Sequence, residues 1–224
     1  PIRARFTLMP PPSTATPEQL YIQATSVIAD LNGVPRLGPI ARGRVALSVD
    51  GSLDLDTLQL SVRVSADARG LVRGEVTLSR AALAATANGP IASPRFTSIL
   101  RGSGLRAGGY LFPAVVASAR GTLDAIDVRS RLDGDEATPS IEARARVSPG
   151  DGAVRRASVV ISRGDTTTTA EVDAVRVAKG VVEIRGVAVE GLGDPILASA
   201  RISAAQIALQ ISAKEVDLAR VAAL

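Results

Sequence analysis

From position 43 onward the chain alternates apolar and polar residues with a period of two, the pattern of strands with one hidden and one wet face. Val45, Leu47 and Val49 alternate with Arg44, Ala46 and Ser48, and Asp50-Gly51 then predicts a hairpin turn. Leu58, Leu60, Val62 and Val64 alternate with Gln59, Ser61, Arg63 and Ser65, the cleanest strand in the sequence. The same scheme predicts strands carrying Val76 and Leu78, then Leu83, Ala85 and Ala87 ahead of an Asn88-Gly89 turn, then Phe96, Ser98 and Leu100, then Val115, Ala117 and Ala119. It continues with Ile126, Val128 and Leu132 near Asp133-Gly134, and with Ile141, Ala143, Ala145 and Val147 before Asp151-Gly152. The last third adds Val159 and Ile161, segments 172–177, 181–189 and 196–202, and Ile207, Leu209 and Ile211.

About a dozen strands joined by Gly-containing turns predict antiparallel neighbours, well above the usual ~20–25% strand content. Their irregular spacing argues against a β-solenoid with a fixed coil length. Helix is expected only as short turns near Asp30 and Asp217, where an N-cap Asp precedes Leu-x-x-Val-x-x-Leu. These two places belong to an ungapped internal echo: positions 20–37 and 207–224 share Gln23/Gln210, Asp30/Asp217, Leu31/Leu218, Val34/Val221 and Leu37/Leu224. Gly33 and Pro35 limit the first helix to a turn or two. Positions 10–17, PPPSTATP, read as a rigid linker. The expected organisation is an N-terminal strand and Pro-rich linker over 1–19, then one repeat segment of a groove-forming sheet over 20–224. The start, PIRARFTLMPPP, carries no signal-peptide core, which suggests a piece cut from a longer protein.

Composition narrows the chemistry. Hydrophobic residues make up 46% of the chain, yet it has three Phe, two Tyr, one Met and no Trp, so the apolar surface is almost wholly Val, Leu, Ile and Ala. With no His and no Cys, the usual zinc ligands, a Ser-His triad, a thiol nucleophile and disulfides are excluded. The net charge of +4 comes from Arg, since Lys179 and Lys214 are the two lysines. Arg63, Arg73, Arg120 and Arg146 are spread singly along strands without interleaved aromatics, which points to a solvated face and away from nucleic acid. The longest apolar run, Gly108 to Ala119, is broken by Pro113 and too short for a membrane helix. It reads as a turn and a buried strand. Absence of Cys fits a periplasm among other compartments.

The remaining candidates for chemistry are weak. Asp133, Asp135 and Glu136 in DGDE offer paired carboxylates, but Ca²⁺-loop spacing is missing and a solvated turn is the better reading. Gly102, Gly104, Gly108 and Gly109 lack the Lys-Ser/Thr and helix of a phosphate loop, so turns and close strand packing explain them. Thr166–Thr169 reads as an exposed strand start after Arg163-Gly164. A Ser-Lys dyad finds no support, because the lysines fall in a turn and near a helix start. The expectation is no enzyme, no metal and no cofactor.

A dozen strands would make a sheet roughly 55 Å wide at about 4.8 Å per strand. A sandwich would fold such a sheet onto itself around aromatic side chains; an aliphatic face instead suits a curled sheet whose groove takes acyl chains. The stretch NGPIASPRFTSILRGSGLRAGGYLFPAVVASARGTLDAIDVRSRL resembles the recurring unit of the TamB-like proteins of Gram-negative envelopes, relatives of the AsmA-like proteins. Gly89, Pro94, Phe96, Leu100, Gly104, Leu105, Gly109, Gly121, Thr122 and Leu123 carry the likeness. Gly191, Gly193, Asp194 and Pro195 before a strand pair, and Asp217-Leu218, extend it across about positions 20–224.

The resemblance implies an all-β, elongated, strongly curved antiparallel sheet with an open hydrophobic groove, a β-taco. It implies a periplasmic location in an inner-membrane-anchored protein, the anchor lying outside this chain, and an outer-membrane barrel partner. The implied function is conduction of phospholipids between inner and outer membranes. Alternatives are a scaffold or chaperone for outer-membrane protein assembly by strand-edge pairing, and a closed adhesin-like β-sandwich. The expected groove lining is Val45, Leu47, Val49, Leu58, Leu60, Val62 and Val64, then Val76, Leu78, Leu83, Phe96, Leu100 and Val115. Farther on come Val159, Ile161, Ile202, Leu209 and Ile211. Phospholipid acyl chains are the expected ligand.

Overall fold

The computed structural model describes residues 2–7, 19–28, 42–178, 181–203 and 206–223. The chain divides into two compact units, Pro1–Thr122 and Leu123–Leu224. In the first, β1 (Ile2–Thr7), β2 (Gln19–Ile28), β3 (Arg42–Asp54), β4 (Gln59–Arg73), β5 (Val76–Pro90), β6 (Arg95–Ala107) and β7 (Tyr110–Gly121) form an antiparallel meander. The second holds β8 (Ile126–Asp133), β9 (Ser140–Ser148), β10 (Ala153–Arg163), β11 (Thr166–Ala178), β12 (Val181–Glu190), β13 (Ile196–Ile202), β14 (Ile207–Ser212) and a short helix, α1 (Leu218–Ala223). Within each unit strands pair with their neighbours in the sequence, with no crossover. Among the described residues β1 pairs only with β2 and β14 only with β13, so neither unit closes into a barrel. The fold is all-β and antiparallel, as the alternation predicts.

Among the described residues neither unit encloses a core of large side chains. Among the described apolar residues, Phe112, Val115 and Ala153 are buried, and no side chain falls below 2% exposure. β4 shows what takes the place of a core. Its burial alternates strictly, with Leu60, Val62, Val64, Ala66 and Ala68 half-buried and Gln59, Ser61, Arg63, Ser65, Asp67 and Arg69 exposed. One layer with one drier face is the pattern left when a sheet's apolar side lacks a second filled layer.

A crease crosses the first unit. The register between β4 and β5 passes from Arg69↔Arg80 to Leu71↔Leu78, leaving Gly70 and Ser79 unpaired. At the same level β6 and β7 pass from Ser103↔Ala114 to Leu105↔Phe112, leaving Gly104 and Pro113 unpaired. Gly70 and Gly104 have φ of +59° and +67°, a left-handed conformation that glycine adopts without the Cβ penalty. Pro113, which has no N–H to offer a ladder, falls where the β6–β7 ladder skips. The twist of the backbone at this line shifts the apolar parity by one, so Ala68 and Leu71 serve the same face.

Several sequence expectations need correction. Asp50-Gly51 lies inside β3, not in a turn: Gly51 pairs with Val62, and a Cβ there would sit 3.1 Å from a Val62 methyl, so glycine serves close packing between strands. Asn88-Gly89 likewise lies within β5, and the chain reverses at Ile91–Ser93 instead. Val76–Leu78 and Leu83–Ala87 belong to one strand whose parity changes at the crease. Leu58 is not in a strand. It occupies the turn before β4 with φ +50° and is 53% exposed. The Thr run does start β11, but Thr168 is buried on the apolar side opposite Ile161.

The helical turn expected at Asp217 is present. Asp217 Oδ1 accepts from the amides of Ala219 at 2.9 Å and Arg220 at 3.3 Å, the N-cap arrangement. The Asp30 turn and the 10–17 linker lie outside the described residues.

Candidate functional site

Direct cross-strand partners share a face, so the register can be followed to assemble the aliphatic surface residue by residue. In the first unit Leu53 faces Leu60, Val49 faces Val64, and Val64 faces Ala85. One row along, Leu47, Ala66, Leu83 and Leu100 stand side by side across β3–β6. The next row carries Val45, Ala68, Ala81, Gly102 and the buried Val115. Val62, Ala87 and Phe96 form a row on the other side. Beyond the crease Leu71, Leu78, Leu105 and Phe112 make a last row, and Phe112, 4% exposed, is its driest member. Val76, opposite Arg73 at the end of β5, is exposed.

The second unit repeats the construction. Ile126, Val147, Val154, Val175, Ile184, Ala200 and Leu209 align across all seven of its strands. Ala143, Val159, Ala170, Val189 and Ile196 form a parallel row, and Leu132, Ile141, Ile161 and Thr168 another. Val177, Val182, Ile202 and Ile207 complete the face. Single-residue register shifts at Arg155/Ser158 and Ile184/Val187 keep it continuous.

The structure therefore brings the predicted lining residues of each unit to one face, Leu58 excepted. Sequence reading missed Leu53, Leu71, Leu105 and Phe112. Leu53 continues the odd-numbered alternation of Val45–Val49 but was masked by the Asp50-Gly51 turn signal. The other three lie beyond the parity change, whose signal is a glycine or proline interrupting an otherwise regular strand.

The opposite face is polar. Gln23 donates to Asp50 at 3.0 Å, and Thr86 and Thr97 share a hydrogen bond of 2.9 Å. In the second unit Glu142 holds Arg131 at 3.0 Å, and Glu183 holds Arg185 at 2.9 Å. Edge strand β14 differs from the inner strands. All six of its residues are exposed, with Ile207, Leu209 and Ile211 at 73%, 63% and 60%.

The DGDE turn closes on itself. Asp135 Oδ1 accepts from the amides of Ala137 at 3.0 Å and Thr138 at 2.8 Å. Hydrogen bonding from the Thr138 side chain, then from the Ala137 amide, holds this carboxyl below its ordinary range. Asp133 pairs with Arg131. Among the described residues no group of three or more acidic side chains is placed to hold a metal ion, and no helix is long and apolar enough to cross a membrane. No family model, no curated protein and no solved structure matches the chain.

Proposed function

We propose that this chain is a segment of a bridge-like envelope protein in which the aliphatic face of a curled sheet carries phospholipid acyl chains between the inner and outer membranes. The observation that supports this reading is the continuous run of Val, Leu, Ile and Ala rows in each unit, with three buried apolar residues and no enclosed core among the described residues. Burying apolar surface is worth about 25 cal/mol per Å², so a half-wet face of this size gains from a mobile apolar occupant. Branched aliphatic side chains without polar atoms offer many weak, similar contacts, which lets a chain slide where a deep pocket would hold it. The TamB-like resemblance implies a periplasmic location for such a segment, with an anchor outside this chain and an outer-membrane barrel as partner.

Two measurements test the proposal. The purified chain should carry phospholipid detectable by organic extraction and mass spectrometry, and a lipid-free preparation that gains none from mixed micelles would overturn it. In the intact parent protein, Val62→Arg should fold and accumulate normally yet block lipid transfer between membranes. Normal transfer would argue against passage along this face.

A second reading, strand-edge pairing with client strands, has its own observation in β14, which among the described residues pairs only with β13 and is exposed along its whole length. Proline placed at Gln210, which pairs with Ser199 on the polar face of β14, separates it from lipid passage: edge pairing would be lost, and lipid co-purification would persist.

A further inference from the structure

The polar face of the first unit carries a row of like charges. Arg44 lies directly opposite Arg69, and Arg69 directly opposite Arg80. Ser103 follows on β6, and Arg101, two positions along the same face, widens the cluster. All four arginines are exposed, and among the described residues none forms an ion pair. A shallow depression here is lined by Arg69, Arg80, Arg101 and Ser103, with Asp67 as its carboxylate. Like charges directly opposite each other weaken a strand pair.

The second unit meets the same problem differently. Where Arg129 faces Arg144, Glu142 lies 3.8 Å from Arg144. Where Arg146 faces Arg155, Asp151 lies 3.8 Å from Arg155. Glu183 sits directly between Arg176 and Arg201 in its row. One unit thus pairs acids with its facing arginines, and the other leaves three in line that form no ion pair among the described residues, although Asp67 lines the same depression.

We propose that the Arg44–Arg69–Arg80 row, with Arg101, is a docking surface for an anionic phospholipid membrane. Guanidinium forks bind phosphate oxygens bidentately, and an exposed row on a pleated face meets a flat array of phosphates without needing a cleft. Nucleic acid fits less well, because base stacking needs aromatics and the residues across this row are Ser103 and Ala114. The proposal does not rest on lipid passage along the opposite face.

Flotation of the 224-residue chain with phosphatidylcholine vesicles containing about one-third phosphatidylglycerol, at ~0.1 M salt, tests it. The variant Arg44→Gln/Arg69→Gln/Arg80→Gln should lose about a hundredfold in affinity, the product of roughly fivefold per arginine at an anionic surface. Its urea midpoint should not fall, since the like-charge row is gone. The variant Arg95→Gln/Arg120→Gln/Arg176→Gln has the same net charge and should keep most of its binding. If the triple variant does not fold, Arg69→Gln alone should show a loss of about fivefold. Equal losses in both triple variants, or equal flotation of the wild type with pure phosphatidylcholine, would overturn the proposal. So would binding of a single-stranded oligonucleotide through these arginines with none to vesicles.

Discussion

Val62 stands between Gly51 on β3 and Ala87 on β5, both too small to cover it. A long cationic side chain at this position can bend over its small neighbours toward water. Val62→Arg is therefore expected to lower stability by about 1–3 kcal/mol, the range of an ordinary destabilising substitution, without unfolding the unit; urea denaturation followed by circular dichroism measures it. Across the pleat, Gln59, Arg63 and Ser65 are exposed, and alanine at each should change stability by no more than ~0.5 kcal/mol. Gly104 is the opposite case. A Cβ there would lie 2.5 Å from Ser79 Oγ at a φ of +67°, so Gly104→Ala should cost about 1–3 kcal/mol, and Ser79→Gly should recover part of that in the double variant.

At the scale of elements, two aspartates fix local backbone, one at a helix start and one in a turn. Asp217 caps α1 through two amides, and Asp217→Ala should speed amide exchange at Ala219 and Arg220 in line with a loss of about 1 kcal/mol. The β8–β9 turn depends on ionised Asp135. Its carboxyl is held low by the Thr138 side chain and the Ala137 amide, so the contribution is complete above the ordinary carboxylate range and is lost as pH falls through the depressed folded value. Following the carboxyl carbon by NMR should show titration below that of an unperturbed aspartate, and Asp135→Asn should reduce the acid response of the Ala137 and Thr138 amides that bond to it. Titration in the ordinary carboxylate range would remove this account of the turn.

Strand faces were legible because alternation depends only on side-chain direction, which the backbone enforces locally. Strand ends were less so. Asp-Gly and Asn-Gly signal turns by their own conformational freedom, yet at Gly51 the glycine answers to Val62 on the next strand, a contact between residues distant in sequence. The crease was illegible for the same reason, since its line exists only once Gly70, Ser79, Gly104 and Pro113 are brought level. The Arg44–Arg69–Arg80 row looked like scattered single arginines for want of register.

For the whole molecule, the decisive property is the strict succession of neighbours within each unit. Pairing between consecutive strands makes contacts local, and local contacts favour fast formation. A chain delivered end-first through a narrow channel could thus assemble its sheet as it emerges, each hairpin laid on the last before the rest of the polypeptide has arrived. Length also becomes divisible. Removing β12 and β13 together leaves β14 with the polarity needed to meet β11, whereas removing β12 alone does not. Such a molecule can be lengthened or shortened across evolution in steps of one hairpin, about 10 Å at the usual strand spacing, without disturbing the pairing of the strands that remain.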